Sequence, residues 1–407
     1  MKRLILVLVI LTIPLAGCWD RVDIDMRGYV LGIALDAYPP NPIGQNTSEL
    51  EASPEEEEPL EKMETQAGRP KYAMTVQLPM LKNSQTAGSG PTGGGFDGSS
   101  TWEITQIGDS FISMNREMAT RTSLLMYYEH LQVIIISDEI ARQGLEKVMD
   151  FFVRDPEMRR RVKIFISKGE AKRILDVLPR IEDYASMYLS LIPLNVKKTS
   201  RMATDTDLGE LIINIHSGLD FVLPKVEAIK DEIKSSGGAA IKNGKMVGWL
   251  TELELEAVKL MRNLYRGGVI TVRTPGEEEG LNVLEVTKAK STIKPSIKDN
   301  VPHFDIRIKV EGNYAEDVNI HTHGQLDMEY IRMLERTFKK EIESLCTRTI
   351  KRMQEEYGAD VLQLKRVLQT KAPAYWKKIA DQWDEIYPSA SISITADVTV
   401  SLLGLET

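Results

Sequence analysis

Two cysteines in 407 residues cannot build a disulfide framework, so stability has to come from buried apolar surface. The five histidines fall at 130, 216, 303, 321 and 323 and form no His-Glu-x-x-His helix. No Gly-x-Ser-x-Gly elbow occurs either. Gly244-Lys245 is followed by Met246 where a P-loop needs a metal-binding hydroxyl. The metalloprotease, serine hydrolase and P-loop chemistries therefore find no support. Beyond the first fifteen residues no apolar run is long enough to cross a bilayer. Positive charge is also scarce, with 51 Lys and Arg against 59 Asp and Glu, a net charge of −8. Eight glutamates and one lysine between Glu49 and Glu64 carry seven of those charges. The rest is nearly neutral and lacks the concentrated positive charge of a nucleic-acid binder.

The chain is rich in information at its start. Lys2 and Arg3, the apolar run Leu4 to Leu15, and Leu15-Ala16-Gly17-Cys18 have the order of a lipoprotein signal peptide. The apolar run is too short for a stable span. Residues 1–17 are expected to be removed and Cys18 to carry lipid, its sulfur being the nucleophile that takes the diacylglyceryl group. Two or three acyl chains at about 0.8 kcal/mol per buried CH₂ make such an anchor effectively permanent.

Patterning then divides the chain. Residues 18–194 are expected to form an N-terminal α/β domain. Tyr29 to Asp36 and Tyr72 to Leu78 read as pairing strands. Between them lies a Pro- and Glu-rich insertion, 37–70, expected to be disordered, and residues 83–100 read as a Gly-rich loop. Ile107, Phe111, Met114 and Met118 mark a helix, Leu131 to Ser137 a buried strand, Ile140 to Phe152 a helix, and Val162 to Ile166 a strand. Glu170 to Leu178 and 181–191 read as helices. That alternation implies some parallel pairing.

Residues 195–285 read as a middle domain. There Leu208, Leu211, Ile212 and Ile215 form an amphipathic helix, Phe221 to Ile229 is extended, and Ala239 to Trp249 is a hairpin turning at Asn243-Gly244. Residues 286–407 form an α+β domain. Phe304 to Val310 and Ile392 to Leu402 alternate as half-buried strands of an antiparallel sheet, and helices run over Asp327 to Tyr357 and Tyr375 to Tyr387. The fold class is thus mixed α/β (α+β), a multi-domain lipoprotein ectodomain with antiparallel sheets packed by helices.

Few residues offer chemistry. His321-Thr322-His323, with Glu316 and Asp327 nearby, supplies at most two neighbouring ligands where a zinc site generally needs three. No metal, cofactor or catalytic residue is assigned. Cys346 lies in the helical pattern Ile331, Leu334, Phe338, Ile342, Leu345 and is expected to be a buried packing residue. Trp376, Trp383 and Tyr387 share a helix face and are expected to be core. Arg159-Arg160-Arg161, after Asp155-Pro156, is a solvated basic turn able to meet lipid headgroups.

Several segments, in order, resemble the C-subunit lipoproteins of spore germinant receptors, the Ger(x)C family. They are Gly17-Cys18-Trp19-Asp20-Arg21, Tyr29 to Asp36, Tyr72 to Leu78, His130 to Ile136, Gly144-Leu145, Asp150 to Glu157, Gly244 to Leu250, Gly358-Ala359-Asp360 and Trp376 to Pro388. The segments 37–70 and 83–100 look longer than the family norm, and Val361-Leu362-Gln363 replaces a more glycine-aromatic stretch. The resemblance implies a non-enzymatic subunit needed for nutrient-triggered germination. It would be lipid-anchored on the outer face of the spore inner membrane and assembled with multispanning A and B subunits, one of them similar to amino-acid permeases. It would meet the small-molecule germinant indirectly. Two other readings remain: a lipoprotein that itself captures the germinant, and a surface hydrolase using His321 and His323 on a metal. Only Cys18 carries over as a functional residue.

Overall fold

The computed structural model describes residues 26–39, 71–80, 101–274, 280–317 and 328–402. Its first region is an eight-stranded sheet in the order β10-β9-β8-β7-β6-β2-β3-β4. The strands are β2 (Gly32–Ala37), β3 (Tyr72–Pro79), β4 (Thr101–Gly108), β6 (Val133–Ser137), β7 (Lys163–Ser167), β8 (Phe221–Ile229), β9 (Glu232–Lys242) and β10 (Lys245–Leu250). The four central strands, β8, β7, β6 and β2, run parallel. Antiparallel pairs flank them on both sides. Two short parallel strands, β1 (Arg27–Tyr29) and β5 (Leu125–Tyr127), pair apart from this sheet.

Central strands covered on both faces need no polar alternation, which explains Val133-Ile134-Ile135-Ile136. Ile134 and Ile136 join one core with Phe111, Met114, Val148 and Phe152 from helices Phe111–Met118 and Leu145–Arg154. Val133 and Ile135 join another with Ile174, Leu175 and Leu189 from Lys172–Asp176 and Ala185–Leu191. Ile107, expected at the start of a helix, is the penultimate residue of β4 instead; the helix begins at Phe111. The helix expected over Ile140 to Phe152 is two, Asp138–Gln143 and Leu145–Arg154, because Gly144 takes φ +132°, which a side chain disfavours.

Strands β8 to β10 lie within the stretch expected as a middle domain, 195–285. They extend the first sheet: Ile166 and Ser167 of β7 pair with Lys225 and Val226 of β8. A single hairpin serves two cores. Ala239 and Ile241 face the first, while Ala240 between them faces the C-terminal one. The hairpin turns where expected, with Asn243 at φ +48° and Gly244 at φ +73°.

The C-terminal sheet runs β11 (Gly268–Arg273), β12 (Leu281–Lys298), β13 (Val301–Asp317) and β14 (Ser391–Leu402). Phe304, Ile306, Ile308 and Val310 are buried, and the residues between them face outward. The alternating strands expected to be antiparallel, β13 and β14, are neighbours but parallel. A parallel pair needs a long crossover, and the helix Met328–Arg352 supplies it. Two of its glutamates reach β14: Glu343 Oε1 accepts from the Ala396 N–H at 2.9 Å and Glu335 Oε1 from the Val400 N–H at 3.1 Å. Two donors of this edge strand are thereby occupied and withheld from further pairing.

Candidate functional site

Four of the segments that carry the family resemblance meet in space where the first sheet joins the C-terminal core. Asp220, buried just ahead of β8, receives two backbone donors: Asp360 N–H to Oδ2 at 2.8 Å and Asn243 N–H to Oδ1 at 3.3 Å. The Asn243 amide nitrogen donates in turn to Asp384 Oδ2 at 3.1 Å. Asp360 is buried as well. Its two oxygens accept from Leu364 N–H at 2.8 Å and Lys365 N–H at 2.9 Å, at the start of helix Leu364–Lys371. This is a capping role, satisfying helix donors that have no partner of their own. The Lys365 ammonium donates to the Gly218 carbonyl.

Burial drives the electrostatics here. It pushes the Asp360 carboxyl up to about 7 against the pull of the Lys365 and Leu364 N–H groups. Burial also raises Asp220, opposed by the Lys365 charge and by the N–H groups of Asp360 and Asn243. Asp220 ties together two parts of the chain distant from it, while Asp360 caps the helix that starts four residues on.

A second contact lies beside it. The long helix ends in a π turn, Met353–Tyr357, closed by Gly358 at φ +57°. This delivers the Tyr357 ring onto Gly248, where a Cβ would lie 2.2 Å from ring carbon Cζ. Only glycine fits. Tyr357 Oη donates to the Trp249 carbonyl at 3.0 Å and accepts from Arg352 Nη2 at 2.6 Å. Arg352 also binds both oxygens of Glu254, at 2.7 and 2.8 Å. Glu254 completes the capping box of helix Glu252–Met261 with Thr251. On the opposite side Leu145 N–H donates to the Gly244 carbonyl at 2.9 Å. Gly144-Leu145, Gly244 to Leu250, Gly358-Ala359-Asp360 and Asp384 thus belong to one junction.

The other candidates fall elsewhere. Cys18, residues 1–17, most of 37–70, the whole of 83–100, and His321, His323 and Asp327 lie outside the described residues. Cys346 is fully buried, and burial pushes its thiol up to about 12, as a packing residue requires. Trp383 and Tyr387 are core, with Trp376 half-buried against Trp383 at 5.7 Å between ring centroids. His130 is exposed beside Tyr29 and Tyr127, and His303 Nδ1 lies 2.8 Å from Ser391 Oγ. Among the described residues no group of three or more His, Cys, Asp and Glu could hold a metal ion. Among them too, no helix is long and apolar enough to cross a membrane. The sequence reading missed Asp220 altogether. Asp360 carried a signal, an aspartate shortly before an amphipathic helix.

Fold and junction define an α+β protein of two main sheets, in which several of the distinctive motifs fasten the first sheet to the C-terminal core. The chain belongs to the Spore germination B3/GerAC-like family: the model of the family's C-terminal part matches residues 236–404 and that of the spore germination protein N-terminal domain matches 20–228. A role in spore germination follows from that membership. Among its relatives in Bacillus subtilis (strain 168), spore germination protein YndF is 29% identical over 402 residues, covering 97% of this chain and 95% of YndF. Spore germination protein A3 is 28% identical, covering 100% and 99%, and spore germination protein B3 is 23% identical, covering 98% and 97%. The crystal structure of the GerBC protein has the same fold. It superposes with a TM-score of 0.57 at 21% identity, over 84% of this chain and 96% of that one.

Proposed function

We propose that this chain is a lipid-anchored, non-enzymatic subunit of a spore germinant receptor, needed for nutrient-triggered germination through assembly with multispanning subunits. The observation that carries the reading is the conjunction of a lipidation signal ending at Cys18 with family models covering both parts of the ectodomain. The Asp220 and Asp360 carboxylates are buried and occupied by backbone donors. That geometry suits a rigid coupling between cores better than proton transfer, which needs a carboxylate within reach of a substrate. In this reading the lipid on Cys18 holds the chain on the outer face of the spore inner membrane, where the multispanning subunits reside.

Cys18→Ala tests the anchor. The variant is expected in the soluble fraction, or retained as the uncleaved precursor, with nutrient germination impaired. Full membrane retention of a processed Cys18→Ala chain would contradict the reading.

An open cleft of about 280 Å³, lined by Tyr188, Asn195, Met202, Glu232 and Lys234 among others, favours a second reading in which the chain itself captures the germinant. Calorimetric titration of the purified chain with single nutrients distinguishes the two. Saturable binding abolished by Asn195→Ala supports capture, and its absence leaves assembly as the role.

A further inference from the structure

One end of the first sheet has a surface unlike the rest. The parallel strands β2 and β6 begin there at Gly32 and Val133, paired in register. Leu78 of β3 and Trp102 of β4 pair at the same end, one residue beyond the Gly32 level. The loop 177–184 is fixed there at both flanks, because Gln77 Nε2 donates to the Leu175 carbonyl at 3.1 Å and Ser186 N–H to Gln77 Oε1 at 3.2 Å. Exposed apolar side chains collect on this end: Ile181 at 81% of its free area, Leu178 at 52%, Leu125 at 51% and Trp102 at 40%. Soluble surfaces scatter such residues singly.

Arginines border them. The Arg27 guanidinium lies 4.1 Å over the Tyr127 ring, and Arg159 Nη2 sits 3.2 Å from Glu129 Oε2. Arg160 and Arg161 follow, exposed, immediately ahead of β7. Glu129 and Glu157 stand among them and leave an excess of positive charge on this side, while Arg180, Glu182 and Asp183 flank Ile181 in the loop. Tyr29 meets both Tyr127 and His130 edge to face, and the Tyr127 and His130 rings are tilted against each other. Exposed apolar groups, aromatic rings and arginines in one zone match a bilayer interface, where rings sit at headgroup level and guanidinium groups meet phosphates.

We infer that this end of the sheet docks on an anionic phospholipid bilayer. The inference rests on the lipidation of Cys18 proposed above. The eight residue steps from Cys18 to Met26 span at most about 29 Å even when fully extended, so a lipid on Cys18 keeps this end within reach of the membrane. The acyl chains hold the protein at the bilayer, and a surface of apolar, aromatic and basic residues fixes which face of the ectodomain lies against it.

The test uses the full mature lipoprotein in vesicles, with an environment-sensitive fluorophore on Ile181→Cys or, as a control, on Lys290→Cys in the C-terminal sheet. Cys346 is buried and does not compete for label. In vesicles containing 30% phosphatidylglycerol, the probe at 181 is expected to shift to the blue and to be quenched by lipid-phase quenchers. The probe at 290 is expected to stay aqueous. Phosphatidylcholine vesicles should reduce the shift at 181 at least twofold, as should the triple substitution Arg159→Glu, Arg160→Glu, Arg161→Glu. Flotation of the chain with the vesicles reports the anchor separately. Retained protein with an aqueous probe at 181 overturns the docking surface and leaves the anchor standing, whereas an unlipidated chain removes both. A probe at 181 that stays aqueous on vesicles but is shielded in spore membranes would assign the face to a protein subunit and overturn its assignment to lipid.

Discussion

The two sheets solve the same packing problem in opposite ways. In the first, β6 buries every residue from Val133 to Ser137 because helices cover both faces. In the second, β13 buries only alternate residues, and Asp305, Arg307, Lys309 and Glu311 look outward. A sheet covered on both sides needs an unbroken apolar run, whereas one with a bare face needs a period of two. The bare face also explains the cross-strand ion pair of Lys288 with Glu311 at 3.1 Å, which solvent screens and which adds little to stability. Stability therefore sits in both sheets, while the C-terminal one also offers a broad polar surface.

The contrast can be broken most forcefully within β13. Phe304→Ala, on the buried face against Trp383, should cost about 3–5 kcal/mol. Arg307→Ala, on the bare face, should change stability by no more than about 0.5 kcal/mol. Urea unfolding of the two variants measures both, and equal losses would mean that the outer face is covered.

The coupling between the sheets comes next. Gly248→Ala places a methyl where the Tyr357 ring stands and should cost about 1–3 kcal/mol. Because the lost contact lies between the cores, the calorimetric transition is also expected to broaden or split. A single sharp transition at unchanged temperature would show that Tyr357 moves aside freely.

A smaller effect depends on pH. The Asp360 carboxyl is raised from its ordinary 3.8 to about 7 in the folded chain, so the folded state holds a proton that the unfolded state has released. The resulting contribution to stability is complete below about pH 4 and is lost as pH rises through 7. Asp360→Asn carries no such proton. Its melting temperature relative to the parent chain should therefore rise between pH 5 and pH 8, and a constant difference would place the ionisation elsewhere. Asp36, raised to about 6, and Glu103, raised to about 7, add slopes of the same sign to both proteins.

The smallest effect is expected at Tyr387. Its ring is core, but its hydroxyl is buried without a hydrogen-bond partner among the described residues. Tyr387→Phe removes that cost and should be neutral or slightly stabilising. A loss of more than about 1 kcal/mol would mean that the hydroxyl is bonded.

Much of this architecture was legible beforehand because its signals are local. Alternation in Phe304 to Val310, the run in Val133 to Ile136 and the Asn243-Gly244 turn each report their own surroundings. Pairing across long separations was not legible. Nothing in Phe221 to Leu250 announces that these strands extend the first sheet, since an apolar strand fits either core and this hairpin serves both. The parallel direction of β14 depends on where a 25-residue helix returns the chain. The junction was half visible. Gly248 and Asp360 stood in the resemblance, but Asp220 has no neighbouring pattern, and its importance lies in two donors, Asn243 and Asp360, distant from it in the chain.

The most direct test of the central claim is the nutrient-triggered loss of optical density in spores lacking this chain, with a dodecylamine-type trigger as control. The account predicts that the response to one nutrient class fails while the control trigger still works. An intact response to every nutrient, in spores also cleared of related C subunits, would contradict it.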